Sequence, residues 1–420
     1  MDCKIAFLTL GCKLNYAETS TYQRELEKAG FQAVQWRQKA DAYLVNSCSV
    51  TATSDAKSRN LVRKVHRINP EAVIVVTGCS AQLRRKEIES IPGVARVFGC
   101  TEKSAVVPYL KERFGAEACV EPASEDIFPA FSSGERTRSF LKVQDGCNNF
   151  CNYCTVPYAR GESRNIPICQ CVRQAQEIAA SGIREIVLTG VNTGDFGRSS
   201  SESFLDLLKA LDRVEGIERY RISSIEPNLL TEEIVDWIAS GTKFQPHFHI
   251  PLQVGSDELL LKMGRHYDTA LFRQRIEYIR SRMESGLSQD KGMEVFFGID
   301  VMAGLPGETD ELFERSLEFI RSIRPAFIHV FPYSRRPGTP AADFPGQVPE
   351  DVKKARVSRL EELCTELHES FVSRHKGKKA KVLFESKEKG GRMSGYTENY
   401  IKVTRDYDPS LVGRTVEVEI

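Results

Sequence analysis

The sequence predicts an α/β protein in three parts: an N-terminal parallel sheet covered by helices, a central run of six β/α units forming a partial barrel, and a small C-terminal antiparallel β-barrel. Three observations carry this. Short apolar runs alternate with helical patterns over residues 4–77. The same rhythm resumes six times over residues 139–330, and after residue 380 apolar and polar residues alternate between Gly-rich turns.

In the first part, strands are expected at residues 4–10, 42–46 (AYLVN) and 73–77 (VIVVT), with helices over 16–29 and 52–68. Gly30 and Pro70 stop those helices, glycine by accepting a left-handed backbone and proline by lacking the N–H that continues the ladder. Residues 120–137 lack periodicity and are rich in Pro, Ser and charge, so a linker is placed at 123–137, between domains 1–122 and 138–372. The central strands fall at 140–143, 185–189, 219–223, 247–250, 295–301 and 326–330, with helices such as 203–214 and 311–323 between them. Six units do not close an eight-fold barrel, but functional groups still belong at the C-terminal ends of the strands. A long helix at 349–373 leads into the β module, residues 373–420.

Apolar and charged contents of 41% and 27% are those of a folded chain. A net charge of +1 excludes nucleic-acid binding through the overall field and leaves only local basic patches. No apolar run reaches the ~18 residues of a membrane helix, and the N-terminus MDCKIAFLTLGC lacks a secretory pattern. The expected compartment is the cytoplasm, where clustered cysteines mean metal or catalysis more often than disulfides. Of twelve cysteines, Cys3, Cys100, Cys119, Cys169, Cys171 and Cys364 read as small buried hydrophobes or surface thiols. The other six form two constellations.

Cys12, Cys48 and Cys79 each follow the end of an expected strand. In a parallel sheet those ends share one edge, so three thiols remote in sequence converge. Gly11 and Gly78 precede two of them and permit a tight turn beside a bulky ligand. Three ligands suit either zinc with an open position or an iron–sulfur cluster with one unligated iron. Cys147, Cys151 and Cys154 stand as CxxxCxxC directly after the first strand of the second part. Three thiolates on one loop hold three corners of a cubane [4Fe–4S] cluster, with zinc again the competitor.

This CxxxCxxC, with Tyr153 before its last cysteine, resembles the radical S-adenosylmethionine (SAM) superfamily. The resemblance implies that the open iron chelates SAM, which is cleaved reductively to a 5′-deoxyadenosyl radical. With TLGCKLN (9–15), KVQDGCNNFCNYC (142–154), VPYARGESR (156–164), FPYSRRPGT (331–339) and the β module, the chain looks like the methylthiotransferases, whose C-terminal module is the RNA-binding TRAM domain. That resemblance implies a second, auxiliary [4Fe–4S] cluster on Cys12, Cys48 and Cys79 that presents sulfur. It also implies an external electron donor, an external sulfur source and tRNA, met at its anticodon stem-loop, as partners. TLGCKLN is closer to the branch that modifies N6-threonylcarbamoyladenosine than to the isopentenyladenosine branch, which tends to read GCQMN. Isopentenyladenosine in tRNA or an Asp side chain of a ribosomal protein is the alternative substrate; a non-catalytic zinc- and RNA-binding protein is the remote alternative.

On this likeness Tyr153, Thr189, Gly190, Asn192, Ser224, Glu226, Gln253 and Asp300 are candidate SAM contacts, each weighed against an ordinary hydrogen-bonded barrel role. His247 and His249 alternate along a strand, share a side and read as structural. Family members commonly carry Ser after the Gln; here the residue is Val254. Arg374, Lys376, Lys378, Lys379 and Lys381 form a basic run opening the β module, with Phe384, Tyr396 and Tyr400 as aromatic partners for RNA bases. Arg335 and Arg336 are placed to meet the anticodon stem or an acidic substituent. The stripe Lys57, Arg59, Arg63, Lys64 and Arg67 is either a second basic face or a solvated one.

Overall fold

The computed structural model describes residues 3–116, 127–134, 137–284 and 292–420; Cys119, and residues 123–126 and 135–136 of the expected linker, lie outside them. The first sheet is wholly parallel, in the order Gln32–Val34, Lys4–Thr9, Ala42–Ser47, Val73–Gly78, Val94–Val97. Its centre is made of the three anticipated apolar runs, and every residue of Ala42–Ser47 is buried because helices cover both faces. The outer strands escape sequence reading because they are short and mostly solvated. The helix Ala52–Ile68 starts where Thr51 accepts a hydrogen bond from the Ser54 N–H at 3.1 Å.

The second sheet is also parallel, in the order Phe327–Pro332, Phe296–Ala303, Phe244–Gln253, Arg219–Ile222, Glu185–Thr189, Arg138–Lys142. Along Phe296–Ala303, the alternate residues Phe297, Ile299 and Val301 are buried in the core with the covering helices. Each such side chain contributes about 1.5–3 kcal/mol. The pleat then turns Phe296, Gly298 and Asp300 to the inner face, where the site lies. Val254 is buried in the helix-side core, so the hydroxyl it lacks is absent from packing rather than from the inner face.

Residues 127–134 do not behave as a loose linker. Phe131 bridges Leu141, the Ser132 N–H donates to Phe140 O at 3.0 Å, and the Lys142 N–H donates to Ala130 O at 2.9 Å. The stretch covers the open edge of Arg138–Lys142, whose backbone groups need partners.

The third sheet is antiparallel, in the order Lys402–Asp406, Arg392–Tyr396, Lys379–Lys389, Thr415–Glu419. Phe384 is wholly buried in its core with Val382 and Met393, which corrects its expected role as a base-stacking surface. This module docks on the N-terminal ends of the barrel strands. Arg219 donates to Lys381 O (2.8 Å) and Tyr396 O (3.1 Å), and Arg221 to Glu398 O (2.8 Å) and Thr397 O (2.9 Å). Glu185 sits beneath them, ion-paired with Arg138 at 2.8 Å and Arg221 at 3.1 Å. Among the described residues no helix is long and apolar enough to cross a membrane.

Candidate functional site

Gly11 turns the chain at φ +103°, and a Cβ there would lie 2.8 Å from both Cβ and Sγ of Cys48. Only glycine lets the Cys12 loop approach Cys48 this closely. Gly78, at φ +98°, is likewise fixed, because a side chain would strike the backbone of Ser47. Asn15 Nδ2 donates to Leu10 O at 2.8 Å and Ser47 O at 3.0 Å, joining the first loop to the second. Ser47 Oγ donates to Thr77 O at 2.6 Å and accepts from the Ala81 N–H at 3.0 Å, joining the second to the third. Cys12, Cys48 and Cys79 are thereby brought to one edge. Burial pushes the Cys48 thiol up to about 11, while a hydrogen bond with Cys100 draws Cys79 down to about 6. Cys100 packs on Cys79 beside Ala159, a contact that no motif announces.

Ala159 belongs to the short helix Val156–Arg160, which begins two residues after Cys154. At its start the Val156 N–H donates to Cys154 Sγ at 3.4 Å; Arg265 Nη1 donates to Cys151 Sγ at 3.1 Å. Burial pushes Cys147 up to about 11 and Cys154 up to about 12. These thiols stay protonated unless a metal deprotonates them. The helix Val156–Arg160 therefore touches both thiol triplets.

A buried ionic web backs this helix. Glu18 Oε1 accepts from Lys103 (2.5 Å), Lys142 (2.9 Å) and Arg160 (3.3 Å), and Asp145 pairs with Lys142 and Arg160, each at 2.7 Å. Arg160 also donates to Asn15 Oδ1 at 2.6 Å. Lys103, Lys142 and Arg160 against Glu18 and Asp145 leave one positive charge in excess, and Arg160 acts directly on Cys79 and Cys12. A positive surplus beside sulfur donors suits anionic thiolate ligands. All donors in both triplets are soft, which suits iron–sulfur chemistry over a hard cation.

Of the candidate SAM contacts, Asn192, Glu226 and Tyr153 gather around the CxxxCxxC loop. Glu226 takes Arg265 at 2.6 Å and Asn149 Nδ2 at 2.9 Å, and Arg265 also reaches Tyr153 OH at 3.4 Å. Asn192 Oδ1 accepts from the Glu226 N–H at 3.4 Å, while its Nδ2 is buried with no partner among the described residues. An orphaned donor beside the thiol loop fits the carboxylate of an amino acid such as the methionine end of SAM. Thr189 is buried just before Gly190. At Gly190 a Cβ would meet Gln144 Oε1 at 2.8 Å, so the close approach it permits is to Gln144, which also accepts from the Val191 and Asn192 N–H groups. Ser224 (φ +57°) and Gln253 (φ +70°) hold left-handed backbone at strand ends, a strained state that clusters at functional sites. Asp300 departs from this set. It stands on the inner barrel wall, 2.8 Å from His249 Nε2 and within reach of the Lys13 charge, and among the described residues it has no hydrogen bond or ion pair to the thiol loop.

That wall belongs to a cavity of about 800 Å³ lined from all three parts of the chain, including Cys12 and Lys13, Arg138 and Arg221, and Tyr396 and Tyr400. His247 and His249 both face it, so the pair read as structural is part of its lining. His247 stacks on Phe296 at a ring separation of 5.2 Å and lies tilted against Tyr400 at 4.6 Å. His249, Asp300 and His329 place their ligand atoms within 4.8 Å of one another. They offer two imidazoles and a carboxylate to a cation, but Lys13 and two arginines share the cavity and oppose one.

The basic residues divide. Lys376, Lys379 and Lys381 are exposed. Lys378 is half-buried and donates to Gly292 O at 3.2 Å. Arg374 forks onto Glu294 at 3.0 Å. Arg335 is open to solvent, but Arg336 is 3% exposed and ion-paired with Asp55, with a further bond to Ser49 at 2.7 Å. Its expected RNA contact is corrected: Arg336 locks the barrel to the first domain. Tyr396 turns inward, stacked on Tyr400 at 4.7 Å under the Arg138 guanidinium. On the stripe, Arg59 pairs with Glu87 at 3.6 Å and Lys64 lies over Trp36.

Residues 141–320 match the Radical SAM superfamily and residues 4–99 match the Uncharacterized protein family UPF0004. The fold agrees with solved radical SAM structures. The methyltransferase TsrM from Kitasatospora setae covers 81% of this chain and 75% of its own at TM-score 0.59 and 15% identity. The cobalamin-dependent enzyme OxsB covers 87% and 56% at TM-score 0.52 and 11% identity. Fold and thiol loop thus define a radical SAM protein. The threonylcarbamoyladenosine tRNA methylthiotransferase MtaB of Bacillus subtilis is 38% identical over 99% of this chain and 93% of its own. Its Thermotoga maritima counterpart is 36% identical over 94% and 89%. A tRNA-2-methylthio-N(6)-dimethylallyladenosine synthase of Carboxydothermus hydrogenoformans is 30% identical over 98% and 95%. The chain belongs to the radical SAM methylthiotransferase family, with the MtaB proteins.

Proposed function

We propose that this protein is a cytoplasmic tRNA methylthiotransferase that places a methylthio group on C2 of N6-threonylcarbamoyladenosine beside the anticodon. What carries the reading is the meeting of two thiol triplets at the helix Val156–Arg160, one of them opening through Cys12 onto a nucleoside-sized cavity. When bound, a [4Fe–4S] cluster on Cys147, Cys151 and Cys154 supplies the electron that cleaves SAM, and a second on Cys12, Cys48 and Cys79 supplies the sulfur. The chain does the positioning. Arg265 and the Val156 N–H steady the thiolates, Asn192 Nδ2 offers a donor to SAM, and the Tyr396–Tyr400 pair offers a stacking face to the base. The base must leave its stack to enter, which costs least in a single-stranded loop.

Relatives named for threonylcarbamoyladenosine reach 38% identity, against 30% and 31% for those named for dimethylallyladenosine, which favours the former substrate. A cavity walled by aromatics and cations favours an RNA base over a ribosomal protein side chain. An external reductant and sulfur source complete the cycle. The test is anaerobic reaction with SAM, reductant and tRNA carrying each modified adenosine, followed by nucleoside mass spectrometry. Methylthio-threonylcarbamoyladenosine is the expected product. Its absence from protein holding about eight irons per chain would sink the substrate assignment, and zinc in place of iron would sink the enzyme reading.

A further inference from the structure

The cavity holds a cation that the protein leaves unneutralised. Arg138 and Arg221 also line it, but Glu185 takes both; Arg138 Nη1 reaches Glu385 and Tyr400 OH while its Nη2 has no partner among the described residues, and Arg221 binds the backbone of the C-terminal module. Lys13 has no side-chain hydrogen bond or ion pair within 4 Å among the described residues, although its charge acts on Asp300, Arg138, His247 and His329. Asp300, the carboxylate within reach of its charge, is already held by His249 at 2.8 Å. Lys387 and Lys402 reach the same cavity from the outer module. Lys13 instead follows Cys12 directly, at the start of the helix Lys13–Lys28. An ammonium that faces the cavity, open to it and with no ion-pair partner within 4 Å among the described residues, is poised for an anionic group of the ligand.

We propose that Lys13 is a specificity determinant that reads the carboxylate of the N6 substituent on the target adenosine, while the ring stacks against the cavity's aromatic side chains. This rests on the substrate reading above, in which the substituent is an amino acid and carries one carboxylate. His249 and His329 line the same cavity, and the Asp300 carboxylate behind them repels a second anion, which sets the direction in which the substituent lies.

An RNA phosphate is the other anion within reach of a lysine, and the test separates the two. Anticodon stem-loops carry either N6-threonylcarbamoyladenosine or the same nucleoside with its carboxyl capped as a methylamide; their phosphates are identical. Binding to the cluster-loaded protein is measured by fluorescence anisotropy. The wild type is expected to bind the capped RNA roughly tenfold to a hundredfold more weakly, the value of a charge-assisted hydrogen bond. Lys13→Gln should lose the same factor on the carboxylate RNA and nothing on the capped one, and Lys13→Arg should recover part of it. Unchanged iron content would show that the variants fold. Equal weakening of both RNAs by Lys13→Gln would assign Lys13 to a phosphate and overturn the proposal, as would no weakening of either. Failure of the wild type to modify the carboxylate RNA would count against the proposed function, while the binding comparison would still judge Lys13.

Discussion

At the residue scale, one position decides whether the first thiol triplet forms. Gly11 combines a left-handed φ with contact to Cys48, so Gly11→Ala strains the backbone and displaces a thiol together. The expected outcome is selective: iron falls from about eight to about four per chain, with the CxxxCxxC signal retained in the reduced EPR spectrum. Loss of both clusters would show a general folding defect instead. Glu18 matters for a different reason. Glu18→Gln leaves Lys103 and Lys142 buried without their shared carboxylate, a change costing about 3–5 kcal/mol in thermal unfolding. The thiol placement was legible in the sequence because apolar strand cores mark where each strand ends, and a cysteine one or two residues later lands on the edge. Glu18, Arg160 and Cys100 were not, since each gains its meaning from a partner far away in the chain.

At the element scale, the C-terminal module is held by the arginines of two barrel strands, and Glu185 keeps those arginines in place. Burial pushes the Glu185 carboxyl up, but Arg221 and Arg138 together hold it down at about 2. That lies below the ~4.3 of an unfolded chain. Its stabilisation is thus complete above about pH 5 and is lost as pH falls toward 2. Calorimetry should give a Tm that is flat from pH 7 to 5 and falls below pH 4.5; Glu185→Gln should lower it at pH 7 and flatten the acid limb. A variant with an unchanged acid limb would move that role to another carboxylate. The central strands could be read because their helix-facing residues form dense apolar runs. The inner-face residues could not. His249, Asp300 and His329 lie on three successive strands, and only parallel pairing of Asp300 with His329 and of His249 with Gly298 sets them side by side. In the module, Phe384, Tyr396 and Tyr400 look alike in sequence; which faces in follows from the register of Leu383 with Tyr396 and from docking on the barrel.

At the scale of the whole molecule, the proposed function asks a nearly neutral chain to bind a polyanion, and the exposed lysines of the C-terminal module are where phosphate contacts are expected. Lys379→Ala with Lys381→Ala should weaken tRNA binding and reduce the slope of log K against log salt by about 1.4, two phosphates at ~0.7 each. An unchanged slope would place the RNA on the Lys57–Arg67 stripe instead. The ionic web of Glu18, Lys103, Lys142, Asp145 and Arg160 has a mechanical corollary. Glu18 and Lys103 come from the first domain and the other three from the barrel, so the web rivets the two domains together next to both thiol triplets. A second rivet, Arg336 with Asp55, stands on the same joint. Opening the joint between the triplets would break these buried pairs, which opposes a clamshell motion around a guest. On the proposed function, the deformation that the encounter requires then falls on the RNA, whose loop would unfold one nucleotide into that riveted joint.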